Sequence, residues 1–284
     1  MIRFATKNDF PDIITLWNEA FGDSEREILF FLDYNFSSEN TLVYELNNKV
    51  VSMLFLLEGD MILNGIKYPS YYLYAACTAE SCRGRGIMAQ LLQHSKTVAE
   101  AKNKYFICLM PGEKSLFDFY EKFGYKTIFT KKVLKIKSED ITDLNFKFEE
   151  EELSDNYFEK RLNAFGFFNR FEWNNRAIQF ACKHHLLYGG NIENNREGYL
   201  LYTQKDNELF VKEFAFESKF FVNSIEKLFD ETQAKSAVIY LPADYFTDVG
   251  EFEIMNSAMA VSVKSEYDSL INQINNAYLG LTLD

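Results

Sequence analysis

The sequence lacks most of what marks a membrane, secreted or disordered chain. No run approaches the ~20 uninterrupted apolar residues that cross a bilayer, and the opening MIRFATKNDFPDII has no basic-then-apolar layout of a secretion signal. A cytoplasmic location is therefore expected, with no membrane partner. Only four prolines and 13 glycines interrupt 284 residues that carry 28 Phe and 17 Tyr, which excludes a low-complexity chain and predicts a well-filled core. Four cysteines (Cys77, Cys82, Cys108, Cys182) never form a CxxC, and three histidines are too few for a zinc site. Buried reduced thiols and no metal are expected. Basic residues are also in deficit. The net charge of -12 excludes nucleic acid, whose phosphates need clustered Lys and Arg. The deficit is uneven: residues 1–140 carry 17 Lys and Arg against 18 acids, residues 141–284 carry 13 against 24. An acidic second half raises the local concentration of a cationic ligand, or simply keeps the protein soluble.

What is present reads as two folded halves, since ~150 residues is an ordinary domain. After a short strand at IRFA, TKNDFPDIITLWNEAFGD spaces Ile13, Leu16, Trp17, Ala20 and Phe21 at three and four, and Gly22 ends the helix. Ser24 and Glu27 predict a capping box opening a second helix in SEREILFFLDYNF. Asn47-Asn48 predicts a tight turn between two strands, and KYPSYYLYAACT reads as a third. Apolar spacing then predicts a helix from Ile87 to about Lys102, followed by a buried strand in YFICLMP. EKSLFDFYEKF is a helix closed by Gly124, and YKTIFTKKVLKIK a strand. The predicted order is βααβββ, a glycine loop, then αβαβ.

That loop, TAESCRGRGIMAQLLQ, is the informative stretch. GRGIMA fits the GxGxxA of dinucleotide sites, but that motif follows the first strand of a βαβ unit and is answered by an acid ~20 residues on. Here an antiparallel meander comes first. A nucleoside-triphosphate loop is excluded because no GK[ST] follows. A plain strand-to-helix turn needs one glycine and gains nothing from two arginines. A pyrophosphate explains more. The first N–H groups of a helix starting near Gly86 are unpaired, Gly84 and Gly86 let an anion approach the backbone, and Arg83 and Arg85 add charge.

CTAESCRGRGIMAQLL, followed some 30 residues later by SLFDFYEKFGYK, resembles the GCN5-related N-acetyltransferases (GNATs), over about residues 2–137. Ser81 departs from the family's Gln or Arg. The resemblance implies acetyl-CoA as acyl donor. Its pantetheine arm would lie on a strand edge at Ala76, Cys77 and Thr78, and its pyrophosphate on residues 83–88, that is Arg83, Gly84, Arg85, Gly86, Ile87 and Met88. It also implies direct transfer to an amine, so Cys77 is not taken as a nucleophile, and it makes Tyr120 the donor to the departing thiolate. A backbone N–H near Cys77 or Thr78 would meet the oxyanion. The general base is left open between Glu58, Asp60, Asp284 and water.

In the second half, SDNYFEKRLNAF and WNNRAIQFACKHH read as helices, and GYLLYTQKDNELFVKEFAF as a hairpin about Asp206-Asn207. FVNSIEKLFDET is a helix, SAVIYLP and SAMAVSV are strands, and EYDSLINQINNAYLGL is a closing helix. The order repeats that of the first half, with FESKFFVNS where the glycines would stand. The pair is similar to the tandem arrangement of Eis-like aminoglycoside acetyltransferases, which are longer and carry a sterol-carrier-like domain not included in these residues. The expected fold is thus α/β (α+β): a mixed, mostly antiparallel GNAT sheet flanked by helices over 1–137, then a degenerate GNAT-like domain over 138–284. The implied function is acetyl transfer from acetyl-CoA to a primary amine of a small acceptor. The alternative is a catalytically silent CoA-binding sensor or interaction protein. The oligomeric state is left open, a homo-oligomer included.

Overall fold

The computed structural model describes residues 1–141 and 156–281. The chain forms two compact units. The first comprises Met1–Met61, Lys67–Thr127 and Ala258–Ile274, and the second Ile62–Ile66, Ile128–Ser257 and Asn275–Asp284. This differs from a contiguous division at residue 137. The segment containing SAMAVSV belongs to the first unit, because Met259–Ser262 pair antiparallel with Leu109–Phe106.

The first unit runs β1 (Ile2–Phe4), α1 (Phe10–Phe21), α2 (Glu25–Asn35), β2 (Thr41–Leu46), β3 (Lys49–Leu63), β4 (Ile66–Thr78), α3 (Ile87–Ala101), β5 (Phe106–Leu109), α4 (Ser115–Glu121) and the start of β6 (Lys126–Lys137). This is the order expected. α1 buries Ile13, Leu16 and Trp17, while Phe21 at its end is exposed. Ser24 and Glu27 exchange the two hydrogen bonds of a capping box at the start of α2. Asn47 and Asn48 both take positive φ (53° and 59°), as a two-residue turn with the strands' own twist requires. Asn64 and Gly65 (51° and 76°) make a second such turn between β3 and β4.

β1 pairs with β2 and β2 with β3, both antiparallel, and β4 pairs with β5 in parallel. The crossover from β4 to β5 is α3. Its Leu91, Leu92, Val98 and Ala99 pack with Leu54, Leu56, Leu73, Ile107, Tyr120, Tyr125 and Val261 into one core. The parallel register comprises Ser70, Tyr71 and Tyr72 against Phe106, Ile107 and Cys108, whereas β4 continues to Thr78. Ala75 breaks β4 with a left-handed backbone (φ 48°), a conformation alanine rarely accepts.

The second unit contains α5 (Tyr157–Phe165), β7 (Arg170–Trp173), α6 (Asn175–Leu187), β8 (Asn191–Asn194), β9 (Tyr199–Lys205), β10 (Glu208–Ala215), α7 (Phe221–Thr232), β11 (Ser236–Leu241) and the start of β12 (Glu251–Ser262). The β9–β10 hairpin turns at Asp206 (φ 54°), as expected. β10 and β11 are parallel with α7 between them, and β6 flanks β11 antiparallel. That arrangement repeats β4, α3 and β5 of the first unit. Two strands, β7 and β8, were not foreseen. The closing helix is only α8 (Asp268–Ile271), in the first unit. Beyond it Ala277, Tyr278, Leu279 and Leu281 are buried in extended chain: Ala277 and Tyr278 bridge to Phe129 and Arg170 in parallel. Those backbone bonds replace the ones a helix would make. The start of the expected helix SDNYFEKRLNAF lies outside the described residues.

Candidate active site

Both glycines of the loop adopt positive φ, 74° at Gly84 and 73° at Gly86. A Cβ built at either would meet nothing within 4 Å. Conformation, not crowding, is what selects glycine here, and the open space beside each is where an anion would come against the backbone. α3 begins at Ile87, so the N–H groups of its first turn point out of its positive end. Among the described residues, none accepts a hydrogen bond from the N–H of Gly84, Arg85 or Gly86. Arg83 and Arg85 are exposed, each anchored by one N–H: Arg83 Nε donates to the Thr78 carbonyl (3.1 Å) and Arg85 Nη2 to that of Ser81 (3.0 Å). Ile87 is buried and Met88 half-buried, which fixes the helix start on the core. A pyrophosphate fits this cradle: outward backbone N–H groups, no Cβ in the way, two guanidinium groups at the rim. Gly86→Ala should therefore cost about 1 kcal/mol of stability through its left-handed backbone and weaken CoA binding more than tenfold. Urea unfolding and a CoA titration of one sample measure both; unchanged CoA affinity would remove Gly86 from the cradle.

The three strand-edge residues expected from sequence divide. The carbonyl of Cys77 accepts a hydrogen bond from Ser52 Oγ on β3 (2.7 Å), and Ala79 N–H donates to the Val51 carbonyl (2.9 Å). Cys77 thus faces β3, and by strand alternation Ala76 and Thr78 turn their backbone groups the other way. They lie past the last residue that β5 pairs. Those groups are what an extra strand-like ligand would use.

Tyr120 stands on α4 and is buried against Phe119 and Tyr125. Burial, and then the neighbouring Cys77 thiol, push its hydroxyl up to about 12. Among the described residues no protein group bonds that hydroxyl. Burial first, then the Glu19 carboxylate, raise the Cys77 thiol well above its ordinary range, so it stays protonated and un-nucleophilic. All four cysteines are buried and outside any disulfide. Glu58 and Asp60 do not reach this region. Each is ion-paired, with Lys104 and Lys67 respectively. They sit six and eight residues along β3 from Ser52, which is ~20 Å or more of strand. Asp284 lies outside the described residues. Two groups that lie at the end of β4 carry no signal in the sequence. Ser52 looks like any polar residue in a strand, and Glu19 sits on the exposed face of α1, yet Glu19 Oε1 accepts the N–H of Glu80 at 2.7 Å.

Residues 1–128 match the family described as an acetyltransferase (GNAT) domain. Those residues, under half of the chain, are thus similar to a GNAT acetyltransferase domain. Solved structures share the fold at low identity. A probable N-acyltransferase from Enterococcus faecalis is 13% identical (TM-score 0.78), with 93% of this chain and 72% of that one covered. Eis1 from Mycobacterium abscessus is also 13% identical (TM-score 0.73; 94% and 74%). A tandem GNAT protein from the clavulanic acid biosynthesis pathway is 9% identical (TM-score 0.51; 93% and 98%). A comparison with curated protein sequences gives no match. Among the described residues no helix is long and apolar enough to cross a membrane.

Proposed function

We propose that the first unit is an N-acetyltransferase that moves an acetyl group from acetyl-CoA directly to a primary amine of a small acceptor. The observation that carries this is the pair of left-handed glycines opening α3 beside a strand that outruns its parallel partner. The N–H groups of residues 84–88, with Arg83 and Arg85, would hold the pyrophosphate, and the backbone of Ala76 and Thr78 the pantetheine amides. Bound acetyl-CoA supplies the activated thioester. Tyr120 holds its proton throughout the neutral range and gives it to the departing sulfur. The N–H of Ala76 faces away from β3 and can meet charge developing on the carbonyl oxygen, which leaves its carbonyl and the Thr78 N–H for the pantetheine amides. The protonated Cys77 favours direct transfer over an acyl-enzyme.

The second unit repeats the parallel β–α–β core, but α7 opens on Phe220 and the buried Phe221, with no glycine at its start. Two aromatic side chains stand where a cradle needs bare backbone. We read it as a degenerate GNAT-like unit that binds no CoA, with the acidic half of the chain favouring a cationic acceptor. Buried thiols outside any disulfide accord with the reducing cytoplasm.

Melting with acetyl-CoA, CoA, NAD and NADP tests the donor. CoA and acetyl-CoA should raise Tm, and a rise with NAD(P) alone would overturn the proposal. Release of free thiol with aminoglycosides, polyamines or amino acids tests transfer. Binding without release for any amine would leave a CoA-binding protein without activity. Replacing Arg83 and Arg85 together by Ala should weaken CoA about 10- to 100-fold, since charge-assisted bonds contribute roughly 1.5–3 kcal/mol each in favourable geometry and less at an exposed rim. Pantetheine, which lacks the pyrophosphate, should bind both forms alike.

A further inference from the structure

We propose that Glu19 is the carboxylate that receives the acceptor's ammonium group and its proton, with Thr78 Oγ1 as a second hydrogen-bond acceptor beside it. This rests on the acetyltransferase proposal above and assigns the acceptor side that it leaves open.

The polarity of the hydroxyl groups at the end of β4 is fully determined. Ser52 Oγ lies 2.7 Å from the Cys77 carbonyl and 2.8 Å from Thr78 Oγ1. A carbonyl cannot donate, so the single Ser52 proton goes to Cys77, and Thr78 must donate its own proton to Ser52. Thr78 Oγ1 is left with lone pairs alone for a ligand. Ser52 is fully buried, so water does not reverse the chain.

Glu19 is held two residues further on. One carboxylate oxygen accepts the Glu80 N–H at 2.7 Å, and among the described residues Glu19 makes no ion pair. The residue as a whole is exposed. The helix that carries it is rigidly seated. Trp17, two residues earlier, is buried with its ring against Phe31, Phe55 and Tyr74, the last of these on β4, and its Nε1–H donates to Asp23 at 2.7 Å. Glu80, whose N–H the carboxylate holds, lies two residues beyond Thr78, the last residue of β4, so Glu19 stands at the end of that strand. The end of β4 therefore offers acceptors and a negative charge, with Arg83 anchored on the Thr78 carbonyl. An alkylammonium matches the acceptors in both charge and donors; an anionic acceptor does not.

In the step itself a C–N bond forms and the thioester C–S bond breaks. The ammonium gives one proton to Glu19 before attack. A second leaves the nitrogen as the amide forms and replaces the proton that Tyr120 has given to the sulfur.

Glu19→Gln keeps the bond to Glu80 N–H but loses the charge and the basicity. With acetyl-CoA and kanamycin, spermidine or lysine, its kcat/KM for the amine should fall at least 100-fold at pH 7. It should recover as pH rises toward the pKa of the free amine, while the melting shift with CoA stays as in the wild type. Glu19→Asp should keep the wild-type pH profile at a lower rate. Wild-type rates in Glu19→Gln, or a loss that pH does not rescue, would overturn the assignment and leave the acetyltransferase proposal standing. No turnover of any of the three amines by the wild type would remove both.

Discussion

Tyr120→Phe should lower kcat by a factor of about 100 to 1,000, within the usual range for a positioned proton donor, and leave the affinity for CoA unchanged. The expectation follows from what the hydroxyl lacks. Among the described residues it makes no hydrogen bond on its buried ring, so its removal leaves no orphaned donor or acceptor behind. Phenylalanine fills the same volume between Phe119 and Tyr125. A merely structural Tyr120 would therefore show no loss in either rate or stability. The direction of its proton affinity gives a second check. Burial raises the phenol to about 12 from the ordinary 10. The folded state thus holds a proton that the unfolded chain releases as pH rises past 10, and the stability this contributes is present below pH 10 and lost between 10 and 12. Over pH 6–9 the hydroxyl stays protonated, so any pH dependence of turnover there belongs to another group. A Tyr120→Phe variant should keep that dependence at a lower height. Unaltered turnover would return Tyr120 to the core.

The parts of this site legible in the sequence are those where local chemistry and position coincide. Two closely spaced glycines ahead of an apolar helix announce a backbone other residues avoid, and Gly84 and Gly86 do take the left-handed region. Hairpin turns at Asn47-Asn48 and Asp206 were equally readable, because asparagine and aspartate tolerate positive φ. Ala75 carries no such mark. Its left-handed φ is imposed by tertiary structure where β4 leaves β5, and no alanine in a strand announces that. The strand around Met259–Ser262 was readable as a strand but not as a member of the first unit. Side-chain alternation specifies a face, and nothing in it names a partner 150 residues away. The apolar run ending in NNAYLGL looked helical by spacing, yet its residues satisfy their backbone against Phe129 and Arg170. Glu19 was invisible because its role depends on a backbone N–H sixty-one residues distant.

In the second unit, Glu213→Ala should destabilise the fold by about 3–5 kcal/mol, the cost of stranding a buried charge. Glu213 is fully buried, and each of its oxygens is committed. One accepts from Arg161 Nε (2.8 Å) and from the Tyr199 hydroxyl (3.0 Å), the other from the N–H of Leu281 (2.8 Å). Arg161, itself 3% exposed, also donates to the Leu279 carbonyl, which Trp173 Nε1 bonds as well. The carboxylate therefore ties α5, β9 and β10 to the extended segment 277–281. Removing it leaves a guanidinium without its counter-charge and two donors without acceptors. Arg161→Met with Glu213→Leu should recover part of the loss, since no charge is then stranded. It should not recover all, because Leu281 N–H and the Tyr199 hydroxyl still lack partners, at roughly 1–3 kcal/mol for each left unsatisfied. Trp17 belongs to the first unit and Trp173 to the second, so urea unfolding followed by fluorescence in a Trp17→Phe background reports on the second alone. An unfolding free energy within ~1 kcal/mol of the parent for Glu213→Ala would mean that water reaches Arg161 as readily as the carboxylate does, which its burial contradicts.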